Sequence, residues 1–418
     1  MGFVLLPLAE HGDNGVSIDA ECQRMRGKVF PGDCRFANAG RAIQEYEFRT
    51  VHSFIVTGCL IKHKHCILAL MNTDILEQIA RALVASGKGL LAADESNASC
   101  EKRFDAVGVA CTEDARREYR ELLVTTPGAE EILSGVIFFD ETFWQSTEHG
   151  QVFREFLKNR GVIPGIKVDK GLVDLPGFPG EKVTQGLDGL ADRMATYAAA
   201  GGKFAKWRAV ITIGDGIPTD ECIGANTFAL ARYARICQEY NVVPIVEPEV
   251  IFDGDHTSEQ CEQVMAHTFD ILFQTMRAFR VHLPGAILKT SMVLPGKDSG
   301  TPINHDEVAE RTVRVLREHV PHELGGVVFL SGGQTPTDAF INLNRIARSG
   351  PHPWAVTFSY SRALQDPVLK TWAKHRHDVN TIQDVFLTQL KTAAAASKGE
   401  LDESALETDA FVSHSQDL

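Results

Sequence analysis

The chain reads as an α/β protein folded into a (β/α)8 TIM barrel, and three observations point there. From residue 88 onward eight short apolar runs follow one another, amphipathic segments lie between most of them, and polar or charged residues gather at the carboxyl end of nearly every run. The repeat of about 30 to 45 residues suits a βα unit. An open doubly wound sheet is the structural alternative, but no Gly-x-Gly-x-x-Gly follows any of the runs. With 418 residues, 44% hydrophobic and 23% charged, the chain is long enough for one large barrel or two smaller domains.

In chain order, the first 70 residues differ in texture from the rest. They hold four of the nine cysteines, Cys22, Cys34, Cys59 and Cys66, and one alternating stretch, 45–56, that fits a strand. Asp13, Asp19, Glu21 and Asp33 count against an acid-poor organellar leader, and Pro7 inside the opening apolar run counts against a secretory signal. Leu6 stands where a myristoylation motif needs Ser or Thr. Cys59, His63, His65 and Cys66 crowd metal-capable groups but match no standard zinc spacing. The expected organisation is an N-terminal extension of unknown order over 1–70, the barrel over 71–396 and a C-terminal tail over 397–418.

A helix opens at Met71 and Asn72, with Thr73 or Asp74 as its cap and Ile75, Ile79 and Leu83 in register. The apolar runs that follow occupy 89–96, 135–141, 165–170, 203–208, 242–249, 285–292, 326–333 and 354–362. Helical periodicity marks 115–124, 226–240 and 307–320 between them, and the Ala-rich run 391–399 is a strong helix former.

A net charge of −13 and a pI near 5.6 argue against nucleic acid or an anionic membrane as partner, so any bound phosphate must be met by local basic residues. No run of 18 apolar residues exists to span a bilayer. Nine cysteines without a C-x-x-C pair suit reduced thiols in a cytoplasmic compartment, an organelle remaining open because of 1–70.

The chemistry gathers at the strand ends. Lys289 follows three apolar residues, where it must lose hydration or find an acidic partner; the bland alternative is a lysine whose stem is buried and whose head stays wet. The other runs repeat the pattern with Asp94 and Glu95, Glu141, Lys167 and Asp169, Lys206 and Arg208, Glu247 and Glu249, Ser331 and Arg362. Period two puts Lys206 with Arg208, and Glu247 with Glu249, on one face of their strands. So many charges of both signs need one another or a ligand. Crowded cations disfavour one another's charge, which marks Lys289 as the amine to attack a carbonyl and form a Schiff base, with Glu247, Asp94 and Lys206 as acids and bases for cleaving a neighbouring carbon–carbon bond.

The segments LAADES (91–96), GIKVDKG (165–171), QGLDGL (185–190), KFAKWR (203–208), NVVPIVEPE (241–249), ILK (287–289), FLSGGQ (329–334) and SYSRALQ (359–365) resemble the signature segments of the class I fructose-1,6-bisphosphate aldolase family, in that family's order and spacing. The resemblance implies a barrel, usually homotetrameric, that reversibly cleaves fructose 1,6-bisphosphate into dihydroxyacetone phosphate and glyceraldehyde 3-phosphate without a metal or other cofactor. It makes Lys289 the Schiff-base lysine, Glu247 the acid/base for carbinolamine formation and dehydration, and Asp94 the group that deprotonates the C4 hydroxyl. Lys206 and Glu249 match neighbours that tune charge around the imine. Ser331, Gly332, Arg362 and Arg103 match contacts to the phosphate near the imine, Ser96, Ser99 and Lys167, with Arg208 nearby, match contacts to the distal phosphate, and Ser359 is a further substrate- or phosphate-binding residue.

Three departures stand out. Thr290 and Ser291 replace the family's usual Pro-Asn after the lysine, Ser361 replaces a glycine before Arg362, and no tyrosine follows Tyr360, the chain ending at Ser415–Leu418 with Phe411 as an anchor for a docked tail. Two alternatives therefore accompany the main reading: imine chemistry on fructose 1-phosphate or sedoheptulose 1,7-bisphosphate, and a barrel that has lost catalysis, which predicts loss of Lys289, Glu247 or Asp94, all of them present. His256 lacks the clustered histidines of a metal-dependent aldolase, and Trp144, Trp207, Trp354 and Trp372 read as packing, with Trp207 a possible exception between Lys206 and Arg208.

Overall fold

The computed structural model describes residues 71–406, within the larger of two compact units, Leu68–Leu418. The expectations placed on the extension, including the strand at 45–56 and the metal-capable segment at 59–66, lie outside the described residues. So do Phe411 and the chain end.

Eight parallel strands close into a barrel. They are β1 (Gly89–Ala93), β2 (Leu133–Phe138), β3 (Ile163–Lys167), β6 (Phe204–Ile211), β7 (Val243–Val250), β8 (Ile287–Thr290), β9 (Gly326–Phe329) and β10 (Val356–Tyr360), with β1 joined to both β2 and β10. Each falls within or against one of the eight apolar runs. The chain-order gap is filled by β4 (Leu172–Asp174) and β5 (Lys182–Thr184), an antiparallel hairpin after β3. The sequence did not announce it, because three-residue, partly exposed strands carry no apolar run.

Alternation along the strands divides their side chains between two cores. On β6, Ala205, Trp207, Ala209 and Ile211 face outward into the layer shared with the helices, whereas Phe204 belongs to the barrel interior. The Trp207 ring lies 5.5 Å from that of Tyr233, so this tryptophan packs in the outer layer. Interior space is filled by pairing large with small residues. A Cβ on Gly165 would fall 2.3 Å from the Phe204 ring, which only a glycine permits.

The amino end of the barrel is sealed by the helix Thr73–Leu83, whose Leu76, Ala80 and Leu83 join Leu90, Ala92, Ile137, Val243, Ile245, Ile287 and Val328. Its cap is Asn72, which accepts from the Ile75 amide at 3.1 Å, not Thr73 or Asp74. Ile75 is 39% exposed, so the buried stripe runs through Leu76 rather than the expected Ile75. Two residues shift because docking onto the barrel floor, not the helix's own composition, selects the face.

Candidate active site

The period that seals one end of the barrel loads the other. On β7 the inward positions run Val243, Ile245, Glu247 and Glu249; on β8, Ile287 then Lys289; on β1, Leu90, Ala92 and, one step beyond the strand, Asp94. All these strands are parallel, so their polar ends meet at a single mouth. The result is a cavity of about 1040 Å³. Nine cationic and six carboxylate side chains line it, a local positive excess in a chain of net charge −13.

At its floor the charges alternate. Lys289 Nζ lies 3.0 Å from Glu247 Oε1, Lys206 Nζ lies 3.2 Å from Glu247 Oε2, and Lys206 Nζ lies 2.6 Å from Asp94 Oδ2. All four side chains are buried. Asp94 Oδ2 and Glu247 Oε2 have no aligned hydrogen-bond donor among the described residues, so their compensation comes from the nearby ammonium charge. Burial opposes ionisation of Asp94, but Lys206 and then Lys289 overcome it and hold its pKa down at about 2. Glu247 is likewise held below the ordinary carboxylate range, burial being outweighed by Lys206 and Lys289.

For Lys206 the balance corrects an expectation. Burial disfavours its ammonium, yet Asp94, Glu247 and Asp169 raise its pKa above the usual lysine value. Neighbouring cations do not depress Lys206, because Asp94 lies against it and Glu247 stands between it and Lys289.

Further up the wall, Arg208 pairs with Glu249, whose charge outweighs burial and raises the arginine's pKa. Lys167 Nζ reaches Asp169 Oδ1 at 2.5 Å. Ser96 caps the helix Asn97–Asp105 through the Ser99 amide, and the two hydroxyls lie 3.1 Å apart. Arg103 is held by Glu95 and, at 2.9 Å, by Asp366. On the β9–β10 side stand Ser331, Gly332, Ser359 and Arg362. The Ser359 hydroxyl is buried without a partner among the described residues, and a Cβ on Gly332 would meet Glu249 Oε1 at 2.9 Å. Arg362 makes no ion pair among the described residues.

Every residue singled out from the sequence for catalysis or phosphate contact lines this one cavity. Of the wider strand-end set, Glu141 does not. It sits in the helix Asp140–Trp144 with Arg116 Nη2 at 2.6 Å, because the chain turns into a helix immediately after β2. Thr290 and Ser291 are buried beside Lys289, Thr290 donating to the Ser291 carbonyl at 3.1 Å.

Sequence reading passed over Lys102, Asp140, Lys170, Arg193 and Tyr197, which also line the cavity. Arg193 pins the loop after β3, donating to the carbonyls of Val168 at 2.8 Å and Gly186 at 2.5 Å. A helical arginine ordinarily reads as solvated, and its only signal was its place just after QGLDGL. Among the described residues no three His, Cys, Asp or Glu side chains gather as a metal site, and no helix is long and apolar enough to cross a membrane.

Residues 75–416 match the family described as fructose-bisphosphate aldolase class-I. A probable fructose-bisphosphate aldolase class 1 of Xylella fastidiosa is 51% identical over 331 residues, 79% of this chain and 99% of that protein. The cytosolic fructose-bisphosphate aldolase 4 of Arabidopsis thaliana is 44% identical over 362 residues, covering 85% and 92%. Among solved structures, the Plasmodium falciparum fructose-bisphosphate aldolase in complex with TRAP and a small-molecule inhibitor superposes with a TM-score of 0.78 at 45% identity, over 79% of this chain and 96% of that one.

Proposed function

This chain belongs to the class I fructose-bisphosphate aldolase family, and from that premise we propose how its cavity performs the reversible aldol cleavage of fructose 1,6-bisphosphate to dihydroxyacetone phosphate and glyceraldehyde 3-phosphate. The enzyme is an aldehyde-lyase. A preference for fructose 1-phosphate or a seven-carbon bisphosphate finds no support in the relatives, which are named for fructose bisphosphate.

The observation that carries the mechanism is the alternating chain Lys289, Glu247, Lys206, Asp94 at the cavity floor. Glu247 takes a proton from the Lys289 ammonium across 3.0 Å. The freed amine adds to the C2 carbonyl, and the carboxyl delivers this proton and then a second one from the adduct nitrogen to the former carbonyl oxygen, which departs as water and leaves the iminium. The iminium so formed is the electron sink, which makes a Lewis-acid metal unnecessary. Asp94, held ionised by Lys206, accepts the C4 hydroxyl proton as the C3–C4 bond breaks and its electron pair moves into the iminium. The aldehyde departs first; protonation and hydrolysis of the remaining enamine release the ketone phosphate. Lys206 stays cationic throughout, and Glu249 with Arg208 fixes the wall beside it.

For the phosphates, Ser331, Gly332, Ser359, Arg362 and Arg103 take the group beside the imine, and Ser96, Ser99 and Lys167, with Arg208 close by, take the distal one. The unpartnered Ser359 hydroxyl and the unpaired Arg362 support the first assignment. We further propose a homotetramer in the cytoplasm, with 1–70 as an extension, 71–396 as the catalytic barrel and 397–418 as a tail.

Borohydride trapping with dihydroxyacetone phosphate, followed by peptide mass mapping, tests the central assignment. The adduct falls on Lys289 and disappears in Lys289→Met; an adduct on another lysine overturns it. Lys289→Arg is also inactive, since a guanidinium stays protonated and forms no imine. EDTA leaves turnover unchanged, and a large loss with chelator would instead require a metal.

A further inference from the structure

Ser361 stands between β10 and the helix Arg362–Lys374, a place where a serine usually accepts from a backbone amide of the first helical turn. No such side-chain bond forms. Its hydroxyl instead donates to Glu95 Oε1 at 2.6 Å. That oxygen also accepts from Gln365 Nε2 at 3.0 Å and from Arg103 Nη1. Arg120 Nη2 approaches the other carboxylate oxygen at 3.4 Å. Glu95 lies below the usual carboxylate range, its burial overcome by Arg103 and Arg120.

The other prong of the Arg103 fork, Nη2, is taken by Asp366 at 2.9 Å. Both prongs therefore face carboxylates, and neither is free for a bidentate grip on phosphate. To reach a phosphate, Arg103 must leave Glu95, and a buried carboxylate deserted by its arginine is costly unless other donors remain. Ser361 supplies a short, neutral donor on the very oxygen that Arg103 vacates, and Gln365 steadies it by donating to Ser361 Oγ at 3.1 Å.

We propose that Ser361 is a positioning residue that eases the transfer of Arg103 from Glu95 to the phosphate of the sugar bisphosphate. The proposal rests on the reading of Arg103 as a phosphate contact. With the hydroxyl present, Glu95 stays solvated and in place when Arg103 turns away. Without it, Glu95 holds Arg103 more tightly and substrate must overcome that grip, so the effect appears in KM.

The test measures kcat and KM for fructose 1,6-bisphosphate on the full chain and on Ser361→Ala, Ser361→Thr, Arg103→Met, Asp366→Asn and the Ser361→Ala/Arg103→Met double variant. Ser361→Ala raises KM about tenfold with kcat changed by no more than about twofold, and Ser361→Thr, which keeps the hydroxyl, restores KM. In the Arg103→Met background the serine substitution adds nothing further. Asp366→Asn, which weakens the competing grip on Arg103, lowers KM about twofold, a reading that stands even if Ser361→Ala folds poorly. An unchanged KM in Ser361→Ala, the same added factor in the double variant, or a rise in KM with Asp366→Asn overturns the proposal while leaving the phosphate role of Arg103 standing. A wild-type KM in Arg103→Met refutes that role and the proposal with it.

Discussion

Along β7, Val243 and Ile245 point into the barrel near its amino end, whereas Glu247 and Glu249 point into it near the carboxyl end. The backbone geometry is the same; the consequences are opposite. The apolar end joins the side chains of the Thr73–Leu83 helix in a closed cluster, each large side chain contributing about 1.5–3 kcal/mol by leaving water. The charged end buries groups whose desolvation is recovered only through neighbours of opposite sign, and such pairs add little net stability. One end of the barrel thus holds the fold together, and the other holds reactive groups that the fold must tolerate. Substitutions at the two ends should separate stability from turnover.

Glu247→Gln carries the largest expected effect on turnover. It removes the negative charge between Lys206 and Lys289 and the only carboxylate within ion-pair reach of Lys289 among the described residues. Loss of a general acid/base lowers kcat by about 10² to 10⁴, measured by coupled assay at saturating substrate. An effect under tenfold would place the proton transfer elsewhere and blur the distinction between the ends.

Phe204→Ala tests the opposite end with the opposite readout. The ring fills the space opposite Gly165, and its removal leaves a cavity among fully buried neighbours. Stability falls by about 3–5 kcal/mol in urea titration while kcat of the folded fraction holds. If turnover collapsed in step with stability, Lys206, two residues along the same strand, would depend on the packing beneath it more than the comparison allows.

Acid separates the ends in a third way. Asp94 and Glu247 have folded-state pKa values below their unfolded ones, Asp94 near 2. The stability they contribute is fully present above the ordinary carboxylate range of about 4 and is lost as pH falls toward 2. Lys206 is shifted the other way, so its contribution is complete below the usual lysine value and is lost only in strong alkali. Plotted against pH, the stability of Phe204→Ala should run parallel to wild type, and that of Asp94→Asn should have a shallower acid limb. Parallel curves for both would remove Asp94 from the acid response.

The eight strands and the inward charges at their ends were legible because both follow from alternation, which is a local property of the sequence. The pairing of those charges was not. Asp94, just past β1, and Lys206, on β6, are far apart in the chain, and nothing local told that Asp94 and Glu247 would flank the Lys206 ammonium and raise its pKa where crowding by cations alone would lower it. The β4–β5 hairpin was missed for want of an apolar run, Arg193 because helical arginines usually face water, and the Glu95–Ser361 bond because a serine before a helix reads as a cap. Each is a tertiary contact that overrides what the local residues prefer.

The smallest effect falls at the first described helix. Asn72 accepts from the Ile75 amide at 3.1 Å, and its own amide donates to Asn241 Oδ1 at 2.7 Å, just before β7 begins. Asn241 has φ of 55°, a left-handed conformation that asparagine tolerates better than most residues. Asn72→Ala removes the cap but keeps the amide link to Asn241, so it costs about 1 kcal/mol and lowers the midpoint of thermal unfolding by a few degrees, with kcat and KM unchanged. A shift in KM from this position would mean that the plugged end communicates with the mouth through β7, and Val243 and Ile245 would then transmit strain to Glu247 rather than insulate it.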